Sequence, residues 1–337
     1  MRIAPSPAPQ PEAEPSPTLP LTRGAQGANV VEAQHQLLHA GFSLPRYGAD
    51  GQFGGETAAA LARFQAKYGL PRTGCFDAAT LEALARARPP SPDYDALFAD
   101  GVLRGVLAVG FDENGAHLRE QAAVAEGLTQ RGYRPVTDAQ RAQWGLDADG
   151  RYVARTSEQD GPTGAVVLEL ITPQTAHARD RFAAALRGQE LVLYGGHGRY
   201  GSGPDFDDIR SPAGNFVIGP PFEAGHVALG ANDLGAAPLM PGYQLMFFDG
   251  CNTYRYFDDL RSRTPGKTPQ TLDVIGSTTE LYWSTTALNL LTALDDVSAR
   301  EDLGVLERDL DENNRQGPGD QRRYFTGDGF EDNVRPG

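Results

Sequence analysis

The sequence predicts an α/β protein in which a small helical domain precedes a larger domain whose mostly parallel sheet is flanked by helices. Three observations support this prediction. Apolar residues near the N-terminus recur at helical spacing within a short internal repeat, and a proline-rich stretch then interrupts the pattern. The remaining chain alternates continuous apolar runs with amphipathic stretches. At 337 residues, the chain is long enough for two domains.

Composition divides the chain into five segments. Residues 1–20 contain seven prolines and no apolar stretch, which predicts an extended, disordered arm rather than a signal peptide. We expect a compact three-helix domain over 21–87, a proline-rich linker over 88–100 and the α/β domain over 101–310. Residues 311–337 are polar and glycine-rich, which predicts either a mobile tail or a terminal hairpin.

Charge and composition exclude several classes of protein. The chain has 44 acidic and 30 basic side chains and a net charge of -14, which argues against a sequence-independent nucleic-acid-binding protein. No apolar run is long enough to span a membrane. Two cysteines are too few for a disulfide scaffold or a cysteine-rich metal site. We therefore expect no cofactor, no metal ion and no nucleic-acid partner.

The predicted N-terminal domain contains a repeated turn-and-helix unit. The segment Gly51-Gln-Phe53-Gly-Gly-Glu-Thr57 is echoed 23 residues later by Gly74-Cys-Phe76-Asp-Ala-Ala-Thr80. In each unit a glycine turn precedes an aromatic residue that fills the core, and a helix begins near the threonine. A further helix is expected over 30–40, where apolar residues follow helical spacing.

These motifs resemble the type-1 peptidoglycan-binding domain over about 65 residues. The signature positions that carry the resemblance are Asp50, Gly51, Phe53, Gly54, Thr57, Phe64 and Gln65. The resemblance implies a three-helix unit that docks an enzyme onto peptidoglycan. It also implies a protein of the bacterial cell envelope or a secreted protein, whereas the absence of a visible signal peptide favours a cytoplasmic one.

The larger domain shows the pattern of a parallel sheet covered on both faces. Buried strands are predicted at 102–111, 133–136, 165–171, 190–194, 243–248 and 272–277. Helices are predicted at 113–131, 175–186 and 285–294.

Two reactive side chains follow the ends of two of these strands. One strand ends in Gly195-Gly196-His197-Gly198 and another in Asp249-Gly250-Cys251-Asn252. Open α/β sheets place ligand sites beyond the carboxyl ends of their strands, so we expect His197 and Cys251 to meet there. Cys251 could then act as a nucleophile and His197 as its proton carrier, while the backbone N–H groups of Gly198 and Cys251 stabilise an oxyanion.

This pair of motifs resembles the caspase, gingipain and clostripain clan of cysteine endopeptidases, in which a strand ending in His-Gly is followed by one ending in a motif with cysteine. The resemblance covers roughly 101–296 and implies a dyad of Cys251 as nucleophile and His197 as acid and base. The caspase-like segment that lines the substrate groove corresponds here to Ser277, Thr278, Glu280, Tyr282 and Trp283. Asp249 matches the position that binds a basic side chain in clostripain-like members, which predicts cleavage after Arg or Lys.

Other interpretations stay open. An L,D-transpeptidase would also combine a wall-binding module with a Gly-Cys nucleophile, although that family has a histidine where Asp249 stands and a β-rich fold. Other wall peptidases place the cysteine before the histidine, and a peptide-binding protein without catalysis would need neither. The acidic cluster of Asp205, Asp207 and Asp208 could hold calcium, although a solvated loop is the simpler interpretation.

Overall fold

The computed structural model describes residues 19–44, 46–156, 164–199, 203–207, 239–257, 260 and 267–333. In these ranges the chain forms a three-helix domain followed by an eight-stranded mixed sheet with flanking helices, which confirms the predicted α/β class. Most of the predicted arm, residues 1–18, and Asp208 of the acidic cluster lie outside the described residues. None of the helices described is both long and apolar enough to cross a bilayer.

The N-terminal domain is a three-helix unit with its own apolar core. Its helices are α1 (Ala28–His39), α2 (Gly55–Lys67) and α3 (Ala78–Arg86). Phe53 and Phe76, the aromatic residues of the two repeats, are both buried and their ring centroids lie 5.1 Å apart. The repeat therefore supplies both halves of one core.

A buried glutamine organises each turn of the repeat. The Oε1 atom of Gln34 accepts the N–H of Gly51 at 2.8 Å, and its Nε2 donates to the Thr57 hydroxyl at 2.9 Å. Gln65 serves the second unit in the same way, accepting the N–H of Gly74 at 3.2 Å and donating to a threonine hydroxyl there. The signature residues of this domain thus have structural roles, and Gln34 belongs with them although its place in the pattern was not apparent from the sequence.

The segment predicted as a linker is folded into the second domain. It contains the short helix α4 (Tyr94–Leu97), and both of these end residues are buried in the main apolar core. The carbonyl oxygen of Pro90 accepts the N–H of Leu303 at 2.8 Å. The linker expectation was wrong because the tyrosine, leucine and phenylalanine that follow its prolines pack into the main apolar core.

The central sheet has the strand order β2-β3-β4-β1-β5-β6-β7-β8. Its strands are β1 (Val102–Val109), β2 (Arg134–Pro135), β3 (Tyr152–Arg155), β4 (Ala165–Ile171), β5 (Leu191–Gly195), β6 (Gln244–Asp249), β7 (Leu272–Ser277) and β8 (Phe325–Asp328). The five central strands, from β4 to β7 in this order, are parallel, and the pairs at both edges are antiparallel. The continuously apolar runs predicted from the sequence are these central strands.

Helices cover both faces of the sheet. The larger domain contains α5 (Ala116–Gln130), α6 (Asp138–Trp144), α7 (Ala178–Gly188), α8 (Thr286–Ala299) and α9 (Leu303–Asn314). Helices α5, α8 and α9 share one apolar core with Leu103 and Leu107 of β1. Helix α7 packs on the opposite face, against Val106 and Ala108 of the same strand. Alternation along β1 therefore separates two cores.

The C-terminal segment is an edge strand of the sheet, so both the hairpin and the mobile tail were wrong expectations. Strand β8 pairs antiparallel with β7, and Phe325 is fully buried. Asp311 fixes the segment, since its Oδ1 accepts the backbone N–H groups of Tyr324 and Phe325 at 2.8 and 3.0 Å. The polar composition of this segment partly reflects carboxylates that hold the strand in place.

The register aligns the ends of three parallel strands. Val109 of β1 is paired with Gly195 of β5, which is paired in turn with Asp249 of β6. The loops that follow these strands consequently begin side by side at the carboxyl ends of the parallel strands, where the sequence predicts the site.

Candidate active site

The loops that carry the predicted dyad pack against each other through their backbones. The N–H of Gly196 donates to the carbonyl oxygen of Asp249 at 2.8 Å. A side chain at Gly198 would overlap the carbonyl oxygen of Cys251, so only glycine allows this approach. The structure thereby brings the His197 loop and the Cys251 loop together at one sheet edge.

Cys251 is partly buried beneath the loop that follows β7. Its Sγ atom accepts the N–H of Leu281 at 3.4 Å and lies 3.7 Å from the carbonyl oxygen of the same residue. Burial raises the pKa of the Cys251 thiol, so the thiol is protonated near neutral pH. The next residue, Asn252, has a φ of 55°, a left-handed conformation that turns the chain sharply after the cysteine.

The imidazole of His197 is held between two carboxylates and an indole. Its Nε2 atom lies 3.2 Å from Glu113 Oε2 and 3.5 Å from Asp112 Oδ1. The ring meets the Trp283 ring edge-on, with centroids 5.3 Å apart and an interplanar angle of 88°. Burial and the charge of Arg199 lower the pKa of His197, although both carboxylates oppose this. His197 is therefore neutral near pH 7 and able to accept a proton.

Sequence reasoning missed the charged residues around the histidine. Asp112 and Glu113 follow β1, and Arg199 binds Glu113 at 2.6 Å. Arg199 also forms an ion pair with Asp205, which is fully buried. The solvated-loop interpretation was therefore wrong for Asp205. An acidic pair directly after a predicted central strand was the signal that could have identified Asp112 and Glu113.

The backbone N–H groups predicted to stabilise an oxyanion lie in the two strand-end loops. Among the residues the structure describes, the N–H groups of Gly198 and Cys251 donate no hydrogen bond to another residue. Both belong to the strand-end loops that pack together. The oxyanion role of these two groups stays a prediction.

The predicted substrate-binding segment divides into buried and exposed parts. Ser277 is fully buried and its hydroxyl donates to the carbonyl oxygen of Gly250, so it supports the cysteine loop rather than lining a groove. Thr278 is tied to the C-terminal segment, since its N–H donates to the carbonyl oxygen of Tyr324 at 2.9 Å. Glu280 and Tyr282 are exposed. Trp283 is the member of the predicted set that contacts the histidine ring.

Asp249 is buried below the site, with 2% of its surface exposed. Its Oδ1 accepts the side-chain N–H of Asn289 from α8 at 2.8 Å. Burial raises the pKa of Asp249 to about 7. The carboxyl group is thus bound inside the protein, and the preference for Arg or Lys substrates stays a prediction without support from an open acidic pocket.

The family-model match concerns the N-terminal domain. Residues 26–84 match the family model of the peptidoglycan-binding domain. The N-acetylmuramoyl-L-alanine amidase CwlL of Bacillus licheniformis is 46% identical over 65 residues, which are 19% of this chain and 18% of the amidase. The chain spans about a fifth of the length of the curated amidases that it matches.

Two solved structures are also similar to part of this chain. The SleB N-terminal domain is 39% identical, and the match covers 21% of this chain and 94% of that one with a TM-score of 0.20. An L,D-transpeptidase of Xylanimonas cellulosilytica is 29% identical over 29% of this chain and 44% of its own, with a TM-score of 0.21. The family-model match supports the expected N-terminal peptidoglycan-binding domain over residues 26–84.

Proposed function

We propose that the second domain is a cysteine endopeptidase with the dyad Cys251 and His197, and that the N-terminal domain holds it at peptidoglycan. The observation that supports this proposal is the close packing of the two loops that carry His197 and Cys251, which follow the neighbouring parallel strands β5 and β6. A mostly parallel sheet with helices on both faces also agrees with what the caspase-like resemblance implies.

The chemistry begins from two neutral groups. His197 takes the proton of the Cys251 thiol as the sulfur attacks the substrate carbonyl carbon. The N–H groups of Gly198 and Cys251 hydrogen-bond to the oxygen that becomes negative. His197 then gives its proton to the leaving amine, and water, deprotonated by the same imidazole, hydrolyses the thioester. Because burial raises the pKa of the Cys251 thiol, the resting thiol needs a base such as His197 to take its proton.

The test is a peptide panel with basic, acidic and apolar residues before the cleaved bond, compared among wild type, Cys251→Ala and His197→Ala. We expect hydrolysis by wild type and a loss of about 10³-fold or more in kcat/KM for either variant, since each removes one member of a nucleophile–base pair. Cys75→Ser is the matched control, because this second thiol lies in the N-terminal domain. Unchanged turnover in the Cys251→Ala variant would refute the proposal.

A second candidate is a wall-modifying enzyme that uses the same dyad on peptidoglycan stem peptides. The names of the matched relatives, an amidase and a spore cortex-lytic enzyme, favour it. Incubation of the protein with purified muropeptides distinguishes the two candidates. Cut or newly cross-linked stem peptides, abolished by Cys251→Ala, would support the second candidate, and cleavage of protein substrates alone would support the first.

A further inference from the structure

We propose that Glu113 and Asp112 are positioning residues for His197, and that Arg199 holds Glu113 in place. The two carboxylates orient the imidazole with its Nε2–H toward them, which leaves Nδ1 to exchange protons with Cys251. This inference rests on the proposed dyad and assigns a role to each nitrogen of the imidazole. A carboxylate accepts hydrogen bonds only, so the ring nitrogen that faces two carboxylates must carry the proton. The other nitrogen of a neutral ring is then the basic one.

The geometry of the loop after β1 supports this role. Glu113 Oε2 lies 3.2 Å from His197 Nε2, within hydrogen-bonding distance, and Asp112 Oδ1 lies 3.5 Å from the same atom. Asp112 is held in turn by backbone N–H groups, because its Oδ2 accepts those of Asn114 and Ala116, both at 2.9 Å. The carboxylates therefore belong to a fixed turn at the start of α5 rather than to mobile surface side chains.

Arg199 fixes the Glu113 carboxylate through the oxygen that does not face the histidine. Its Nη2 atom donates to Glu113 Oε1 at 2.6 Å, which leaves Oε2 for the histidine. Arg199 is itself anchored by the buried Asp205, and only 12% of its side-chain surface is exposed. One guanidinium thus connects the histidine's own loop to the loop that orients its ring.

The same cluster is poorly suited to a divalent cation. Glu113, Asp112 and His197 could together offer three ligand atoms. The guanidinium of Arg199 bonded to Glu113 already supplies the positive charge that this carboxylate pairs with, and it would repel a second cation. We therefore assign the carboxylates to the imidazole, and zinc addition and chelation serve as a check on this assignment.

Charge gives the positioning role a directional signature. The groups that face His197 are Glu113 and Asp112, which raise its pKa, and Arg199, which together with burial lowers it. Removing the Glu113 charge must lower the pKa of His197 further. Because the imidazole has to be neutral to accept the thiol proton, the acid limb of kcat/KM should move to lower pH in Glu113→Gln.

The experiment compares the full-length chain with Glu113→Gln, the double variant Asp112→Asn/Glu113→Gln, and Glu126→Gln as matched control on the exposed face of α5. We expect kcat to fall about tenfold for Glu113→Gln and about 10³-fold for the double variant, with KM changed far less, because ring orientation is lost. Nitrogen-15 spectra of labelled histidine should show the Nε2–H tautomer of His197 in wild type and a mixture in Glu113→Gln.

Failure of the inference and failure of the proposed function give different results. An active wild type that needs Cys251 and His197, combined with an unchanged kcat, pH profile and tautomer in Glu113→Gln, would overturn the inference alone. Inhibition of wild type by a chelator, restored by zinc and absent in Glu113→Gln, would also overturn it in favour of a metal site. A wild type indifferent to Cys251→Ala would remove the dyad itself, and the tautomer measurement would still report whether the carboxylates orient the ring.

Discussion

At the scale of single residues, the site joins neutral reacting groups to charged supporting ones. The Cys251 thiol and the His197 imidazole both favour their neutral forms because they are partly buried. The charged groups are Glu113 and Asp112, which lie beside His197, and Arg199, which pairs with Glu113. In the proposed mechanism, this arrangement avoids a resting thiolate and makes the reaction depend on the orientation of the histidine ring.

The meeting of the His197 and Cys251 loops could be predicted from the sequence, but the contact between the carboxylates and His197 could not. His197 and Cys251 stand directly after apolar strands, and any parallel sheet places such residues at one edge. The link to Glu113 depends on β1 lying beside β5, which follows from strand order rather than from local pattern. The turn of Arg199 toward that loop depends on the buried Asp205, and no sequence spacing reveals it.

Asp249 should make the stability of the protein depend on pH. Its pKa is about 7 in the folded protein, whereas an aspartate in an unfolded chain ionises near pH 4. Between these values the folded protein retains a proton that the unfolded chain releases, so the free energy of unfolding falls as the pH rises through this window. Below about pH 4 the Asp249 carboxyl group is protonated in both the folded and the unfolded state, so it no longer makes the free energy of unfolding depend on pH.

At pH 8 the free energy of unfolding of Asp249→Asn, measured in urea, should therefore exceed that of wild type by on the order of 2–4 kcal/mol. At pH 4 we expect no such gain. The amide oxygen can still accept from Asn289, which keeps the packing. Asp296 and Asp311 also have a raised pKa of about 7, but they contribute equally to both proteins and cancel in the difference. Free energies of unfolding that change with pH in the same way in wild type and Asp249→Asn would contradict this account.

At the scale of elements, helices α5 and α8 beside the site approach each other closely at one glycine. Gly127 of α5 lies against α8, and a side chain there would overlap the Leu291 Cδ1 atom. Two polar contacts flank this point, since Glu120 accepts the N–H of Ala287 at 3.0 Å and Arg131 pairs with Asp295 at 2.7 Å. The position of α8 matters for the site because Asn289 on that helix binds Asp249.

Gly127→Ala should destabilise the protein by about 1–2 kcal/mol, because the cost of overpacking exceeds the gain in helix propensity. Gly188→Ala at the exposed end of α7 is the matched control, since a methyl group there meets nothing within 4 Å. The control should gain about 0.5 kcal/mol from the restricted unfolded chain. Thermal or urea unfolding of both variants checks the pair, and equal effects would refute the close approach.

Element prediction succeeded where apolar residues were continuous and failed where the pattern was mixed. Strands β1, β4, β5, β6 and β7 are the predicted apolar runs. The short strand β3 was missed because it contains only four residues at an antiparallel edge. Helix α9 was missed because it begins only four residues after α8 ends and contains six charged or amide side chains in its last seven positions. Its buried carboxylates acquire partners only in the folded protein.

At the scale of the whole molecule, the two domains are in contact through the C-terminal segment. The Ser43 hydroxyl donates to Asp328 Oδ1 at 2.8 Å, and Arg63 forms an ion pair with Glu331 at 2.9 Å. Gly41 lies against the ring of Pro90. The contacts are few and partly exposed, so we expect each domain to keep its own fold when the other is removed.

Removal of residues 1–88 should separate wall binding from peptide hydrolysis. The full chain should sediment with insoluble peptidoglycan, and the shortened chain should remain in the supernatant with kcat/KM on a short peptide within about twofold of the full chain. The cut leaves Pro90 in place to accept the N–H of Leu303. Equal sedimentation of both chains would show that the wall contact lies outside the N-terminal domain.

The most direct test of the central claim is to trap the acylated enzyme. A slowly hydrolysed peptide ester is mixed with the protein, the reaction is quenched in acid within milliseconds to seconds, and the acyl group is located by mass spectrometry of proteolytic fragments. We predict an acyl group on the fragment that contains Cys251 in wild type, a much slower appearance in His197→Ala and none in Cys251→Ala. Ester turnover with the acyl group on another residue, or with none on Cys251, would contradict the account.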